Sequence, residues 1–262
     1  MNRNKIILLC TFVVLSVFAA NQWLQVRSPL RFTLTELQSF SDDLKPLLDV
    51  IASGEGGYTS INRGLAGDSK GDWPKKNLGR SITEMTVAEL RAHQGGSHAD
   101  CWYKGKAGEA GLYAVGKFQL IPCTLQLATR QIPNFDMNAL YNEELQEALG
   151  VYLVLIKRPV VREYLAGLHS NHQEAGQELA KEFASIPAQY PNDNCERGQS
   201  YYCGKNNNAA HISLQSIDEA LKITRQRIIQ TGTLEKLIAE KETPQEKVLR
   251  FWNTLLRQTI KK

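Results

Sequence analysis

A helical stripe that runs directly into a series of glycines constrains this chain more than any other feature. Leu44, Leu47, Leu48 and Ile51 recur at helical spacing, which predicts a helix from about Asp42 to Ser53, with Ser41 placed to cap it and Pro46 in its first turn. The pattern breaks at Ser53-Gly54-Glu55-Gly56-Gly57, so one carboxylate, Glu55, stands where an apolar helix end meets backbone that is free to bend. A carboxyl group held partly out of water has a raised pKa and can stay protonated near neutral pH. The helix dipole also disfavours a negative charge there. The segment reads equally as an acid in a functional turn and as a solvated carboxylate at a helix end.

Three capping boxes, Thr86-Val87-Ala88-Glu89, Ser216-Ile217-Asp218-Glu219 and Thr243-Pro244-Gln245-Glu246, open helices expected to reach about His93, Gln230 and Ile260. Further helices are expected over 123–131 behind Pro122, over 142–156 with a break at Pro159 and a continuation to about 168, and over 171–185. The last places Leu179, Phe183 and Ile186 on one side. The C-terminal stripe of Val248, Leu249, Phe251, Trp252, Leu255 and Leu256 is expected to pack on the body. Residues 56–82 read as a long loop with short strands around Tyr58–Asn62, residues 95–111 as a second glycine-rich loop, and residues 187–212 as a polar loop. Loops of this length inside a compact domain are usually functional. The expected fold class is mostly α: a helical bundle with a small loop and strand lobe beside a cleft. Residues 1–20 form a leader or anchor, 21–40 a loosely held connector, 41–232 the domain, and 233–262 a helical extension packed on it.

Arg3 and Lys5 precede an uncharged apolar run from Ile6 to Ala20, the pattern of an export signal. The run is short for a spanning helix, which needs roughly 20 residues, but Trp23 just beyond it suits a membrane interface, so an uncleaved anchor is the alternative. The expected location is outside the cytoplasmic membrane, periplasmic or secreted. Four cysteines follow the leader, Cys101, Cys123, Cys195 and Cys203, and an even number in an exported chain favours disulfides. Of three possible pairings, sequence proximity favours Cys195 with Cys203 and Cys101 with Cys123. His98, His169, His172 and His211 lack ligand-like spacing, so no metal and no other cofactor is expected. A formal net charge of +4 is only mildly basic; it suits an anionic surface such as a cell wall and argues against a nucleic-acid partner.

Asp49-Val50-Ile51-Ala52-Ser53-Gly54-Glu55-Gly56 resembles the catalytic-glutamate motif of the bacteriophage lambda type of endolysin. Ala114-Val115-Gly116-Lys117-Phe118-Gln119-Leu120 resembles that family's second motif, and Glu182-Phe183-Ala184-Ser185-Ile186-Pro187 its third. The motifs occur in the family's order and span roughly residues 42–230. More widely, the chain resembles the lysozyme-like superfamily, with its lytic transglycosylases and goose-type lysozymes. The resemblance implies an α+β lysozyme-like fold and an enzyme that cuts the β-1,4 bond between N-acetylmuramic acid and N-acetylglucosamine in peptidoglycan, with Glu55 as its single acid and base. A lytic transglycosylase leaves 1,6-anhydro-muramyl ends and needs no second carboxylate; a hydrolysing lysozyme uses one to activate water or stabilise the sugar cation. Asp68 and Asp72 are placed to serve, or are solvated loop aspartates beside Lys70. The chain departs from the lambda type in its leader, its inserted loops, its cysteines and its C-terminal extension.

Gln119 is the expected partner that orients Glu55 or binds an acetamido group, with a satisfied buried amide as the alternative. Ser60 and Asn62 follow the acid at a spacing that returns a strand towards it. Tyr58, Tyr113 and Tyr202, with Tyr201 beside it, are candidate stacking groups or core residues. Lys117 is a candidate contact to peptidoglycan carboxylates or a surface cation. A non-catalytic glycan-binding or scaffold protein with the same cleft is the competing class; Glu55 and the Gln119 motif together argue against it.

Overall fold

The computed structural model describes residues 30–64, 73–95, 111–205 and 208–242. Among these residues the chain forms ten α-helices and one two-stranded sheet, in agreement with the mostly α class. No helix of the described residues is long and apolar enough to cross a membrane. The leader, Trp23, Asp68, Lys70, Asp72, His98, Cys101 and the C-terminal stripe lie outside the described residues.

The expected loose connector over 21–40 is corrected from residue 31 onward. Helix α1 (Leu34–Gln38) opens with a capping box in which the Thr33 hydroxyl accepts from the Glu36 amide and the Glu36 carboxylate accepts from Thr33. Phe32, Leu37 and Phe40 are buried, so this segment belongs to the core. Helix α2 (Ser41–Glu55) starts one residue before the expected position and runs two residues further, so Ser41 lies inside it and makes no cap. Leu44, Leu47, Leu48 and Ile51 form its fully buried stripe.

After α2 the chain makes strand β1 (Ile61–Asn62), helix α3 (Trp73–Leu78), a 3-10 turn (Ile82–Glu84) and helix α4 (Val87–His93). The expected loop over 56–82 therefore contains a helix. The Thr86 capping box forms as expected, with Glu89 reciprocating. Strand β2 (Ala114–Val115) pairs antiparallel with β1, Ile61 against Val115 and Asn62 against Ala114. Helix α5 (Pro122–Gln131) begins at its proline, and α6 (Glu143–Tyr152) is capped by Asn142.

A π-helical turn, Leu153–Lys157, follows α6, and Pro159 then opens α7 (Pro159–Leu165). Helix α8 (His172–Ala180) ends five residues before the expected Ser185, although Leu179, Phe183 and Ile186 are buried together as expected. Helix α9 (Leu214–Thr231) is capped by Ser213, one turn before the expected box at Ser216, and Gly232 passes the chain into α10 (Thr233–Lys241). Helix α2 packs against α6 and, along its length, against α9; α9 also packs against α7, α8 and α10. This burial fixes the direction of α2 and hence the place of its last residue.

Candidate active site

Glu55 is the last residue of α2, half-buried, with its carboxyl facing the turn after α8. The Ser185 hydroxyl donates to Glu55 Oε1 at 2.6 Å and the Ser185 amide to the same oxygen at 3.2 Å. Burial is the largest influence on the acid and pushes its pKa up. The two Ser185 bonds and the charge of a nearby His211 oppose that rise, and the Glu182 carboxylate adds to it; the net direction is upward. Loss of hydration thus outweighs two hydrogen bonds that favour the anion.

Close packing makes the pairing possible. A Cβ at Gly54 would lie 2.7 Å from both Cβ and Oγ of Ser185 and 2.9 Å from Ile212 Cδ1, so only glycine lets the Ser185 turn touch the helix end. The carbonyl of Ser185 accepts from the amides of His211 and Ile212, which ties the same turn to the segment leading into α9.

The second wall is the turn after β2. Gly116 has φ +76°, and a Cβ there would lie 2.3 Å from Gln146 Oε1 and 2.7 Å from the Tyr141 hydroxyl. The fully buried Gln146 accepts from the Lys117 amide and donates to the carbonyls of Tyr58 and Tyr141, so one side chain joins the loop after α2 to the β2 turn. Gln119 holds φ +46°, a left-handed conformation that side-chain-bearing residues seldom adopt outside functional or tightly constrained turns. Its amide donates to the Gly116 carbonyl, and its Nε2 lies 3.8 Å from where a Cβ on Gly56 would sit. Gln119 therefore borders the acid's own turn and makes no hydrogen bond to Glu55 in this state.

Beyond Gln119 lies a cavity of about 170 Å³. Phe118, Leu120, Ile121 and Leu153 supply its apolar lining, and Thr124, Lys157, Arg158, Lys181, Glu182 and Tyr202 its polar lining. Lys157 and Arg158 leave the π-turn together and grip Glu182: Lys157 Nζ to Oε1 at 2.6 Å, Arg158 Nε to Oε2 at 2.8 Å. Arg158 also donates to the Lys181 carbonyl, as does the Tyr202 hydroxyl at 2.6 Å. Tyr202 comes from the loop closed by the Cys195–Cys203 disulfide, which forms as expected. Cys123 is also disulfide-bonded.

The other expected contacts are structural. Lys117 is buried, 11% exposed at its side chain, and its ammonium is paired with Glu147 and, at 3.6 Å, with Asp49; it is no surface cation. The Tyr58 hydroxyl donates to the same Glu147, and the Lys117 ammonium lies over the Tyr58 ring. The Ser60 hydroxyl accepts from the Gly57 amide, and Asn62 Oδ1 from the Gly64 amide. Tyr113 is half-buried beside β1, its amide donating to the Asn62 carbonyl. These residues shape the turn that follows Glu55. Gln119 and Tyr202 alone among the expected binding residues line the cavity.

Ser185, Glu182, Lys157 and Arg158 carry the site and had no assigned role in the sequence. Ser185 and Glu182 stood inside a quoted motif; the Lys157-Arg158-Pro159 run was visible, but its π-turn was not. Among the described residues no cluster of three or more His, Cys, Asp or Glu is placed to hold a metal ion. Comparison of the chain with protein families, curated proteins and solved structures finds no match in any of the three.

Proposed function

We propose that this protein is a peptidoglycan lytic transglycosylase on a lysozyme-like fold, with Glu55 as its one acid and base. The observation that carries this reading is the Ser185–Glu55 pairing. Both donors converge on Oε1, which leaves Oε2 to carry the proton of a carboxyl whose pKa burial has raised. Protonated Glu55 gives its proton to the leaving glycosidic oxygen as the bond from the muramyl anomeric carbon breaks. The resulting carboxylate then takes the proton of the muramyl C6 hydroxyl as that oxygen bonds to the anomeric carbon, so the 1,6-anhydro ring closes and Glu55 is protonated again. No water is consumed.

Burial chiefly raises the acid's pKa and the charge of Glu182 adds to it, yet Lys157 and Arg158 occupy both Glu182 oxygens. So engaged, Glu182 suits an electrostatic role better than activation of water. Gln119 borders the acid and is the group to hold an acetamido substituent. The protein acts outside the cytoplasmic membrane on glycan strands.

Mass spectrometry of purified peptidoglycan, digested by the leaderless protein and by its Glu55→Gln variant, tests the proposal. Anhydro-muramyl ends that vanish with the variant are expected. Reducing muramyl ends would establish a hydrolase instead. Intact strands from both proteins would sink the enzyme reading and leave a glycan-binding role.

A further inference from the structure

We infer that the cavity beyond Gln119 is a subsite for a free carboxylate carried on a short arm of the substrate, the acid of a peptide stem attached to the muramyl sugar. The inference rests on the reading of Glu55 as the acid of a peptidoglycan-cutting enzyme and names the part of the substrate that the neighbouring space takes.

Charge is the first ground. Three cations, Lys157, Arg158 and Lys181, line the cavity against one carboxylate, Glu182. The Glu182 side chain is only 5% exposed and is paired with Lys157 and Arg158, which are 22% and 19% exposed, whereas Lys181 is 36% exposed. An incoming group therefore meets cations first. Glu178 pairs with Lys181 and Arg158 but does not line the cavity. Neutral sugar oxygens can accept from such a lining, but a carboxylate gains more from it, because hydrogen bonds in which both partners are charged are the strong ones.

Size is the second ground. About 170 Å³ is well below the roughly 300–1,000 Å³ of pockets that enclose a drug-sized ligand. It admits a carboxylate with a few carbons against Leu120 and Leu153, but not a glycan ring pair.

The backbone is the third. A π-turn is rare and concentrates at functional sites; here Leu153–Lys157 brings two consecutive cations to one wall. The strained Gln119 lines the cavity and also borders Gly56, the neighbour of Glu55, so the arm would enter beside the acid.

Binding by the inactive Glu55→Gln protein tests the subsite without turnover. Glycan strands bearing stems, the same strands stripped of stems by an amidase, and strands whose stem carboxylates are methyl esters would be titrated calorimetrically. The expected result is binding about tenfold tighter for free-acid stems than for stripped or esterified ones. Adding Lys181→Glu, on a side chain exposed enough to spare the fold, should bring that ratio to about one, while Lys181→Arg should keep it. Equal binding of free-acid and stripped strands, equal binding of free-acid and esterified stems, or a ratio that survives Lys181→Glu would each overturn the subsite. Cleavage by the unmutated protein is scored separately: cleavage with a ratio of one removes the subsite alone, and a tenfold ratio without cleavage removes the catalytic reading alone.

Discussion

Ser185 donates twice to a single oxygen of Glu55, from its hydroxyl at 2.6 Å and its amide at 3.2 Å. Two donors on one oxygen orient the carboxyl group and direct any proton it holds to the other oxygen. The orientation of the carboxyl group is thus set by one residue from a turn 130 positions away.

The pH dependence follows from the direction of the Glu55 shift. In the proposed reaction the acid acts while protonated, so cleavage should fall as pH rises through a pKa above the ordinary 4.5 of a glutamate. Ser185→Ala removes a bond that favours the anion, so this alkaline limb should move to higher pH while kcat drops about tenfold from lost orientation. A kcat/KM profile over pH for both proteins checks it; a limb that moves down would count against the geometry.

Stability carries the same sign. A carboxyl whose pKa is higher folded than unfolded favours the fold below its unfolded pKa, near 4.5, and loses that contribution as pH rises through the folded value. Glu55→Gln has no such loss. Its stability relative to the unmutated protein should therefore grow from pH 4 upward and level off above the raised pKa, as read by urea unfolding across that range.

Gly54→Ala should damage the site more than a single methyl group usually does. The new Cβ would meet Ser185 at 2.7 Å and Ile212 at 2.9 Å. Overpacking of this kind costs about 1–3 kcal/mol. The Ser185 turn should also withdraw from Glu55, so thermal melting and cleavage should both suffer, cleavage the more severely.

Gln146→Leu tests the other wall. The substitution keeps most of the volume but leaves the Lys117 amide and the carbonyls of Tyr58 and Tyr141 without the amide that served them. Buried groups left unsatisfied cost about 1–3 kcal/mol each, and partial relaxation makes about 3 kcal/mol the expected total in denaturant titration.

The Cys195–Cys203 disulfide closes a short loop, its ends eight positions apart in the sequence. Chain entropy gives such a closure about 2.5 kcal/mol. Replacing both cysteines by serine should lower the melting temperature by several degrees. It should also free Tyr202 from the Lys181 carbonyl, loosening the cavity wall before Glu55 is affected.

Much of the architecture was legible where local chemistry governs it. The Thr86–Glu89 box, the start at Pro122 and the stripe Leu44, Leu47, Leu48 and Ile51 all depend on residues a few positions apart. Helix α1 was missed because Thr33 and Glu36 form only a five-residue helix whose burial comes from distant partners, and Ser213 displaced Ser216 as a cap although both are serines before an apolar pattern. Glu55 stood out because glycines framed it. Ser185, Lys157 and Arg158 did not, since their roles arise from contacts across 20 to 130 positions that no spacing rule encodes. Lys117 was misjudged for the same reason: its burial depends on Glu147, thirty residues on.

The separation between Glu55 and Ser185 also sets when the chain can act. A segment ending before residue 185 holds the glutamate and its glycines, but its carboxyl would remain hydrated and titrate like any other. Long-range closure is a late and entropically costly event in folding. Under the proposed activity, competence to cut would arrive with the completed fold rather than with synthesis of the acid, so a half-folded chain would hold the glutamate without the turn that makes it an acid.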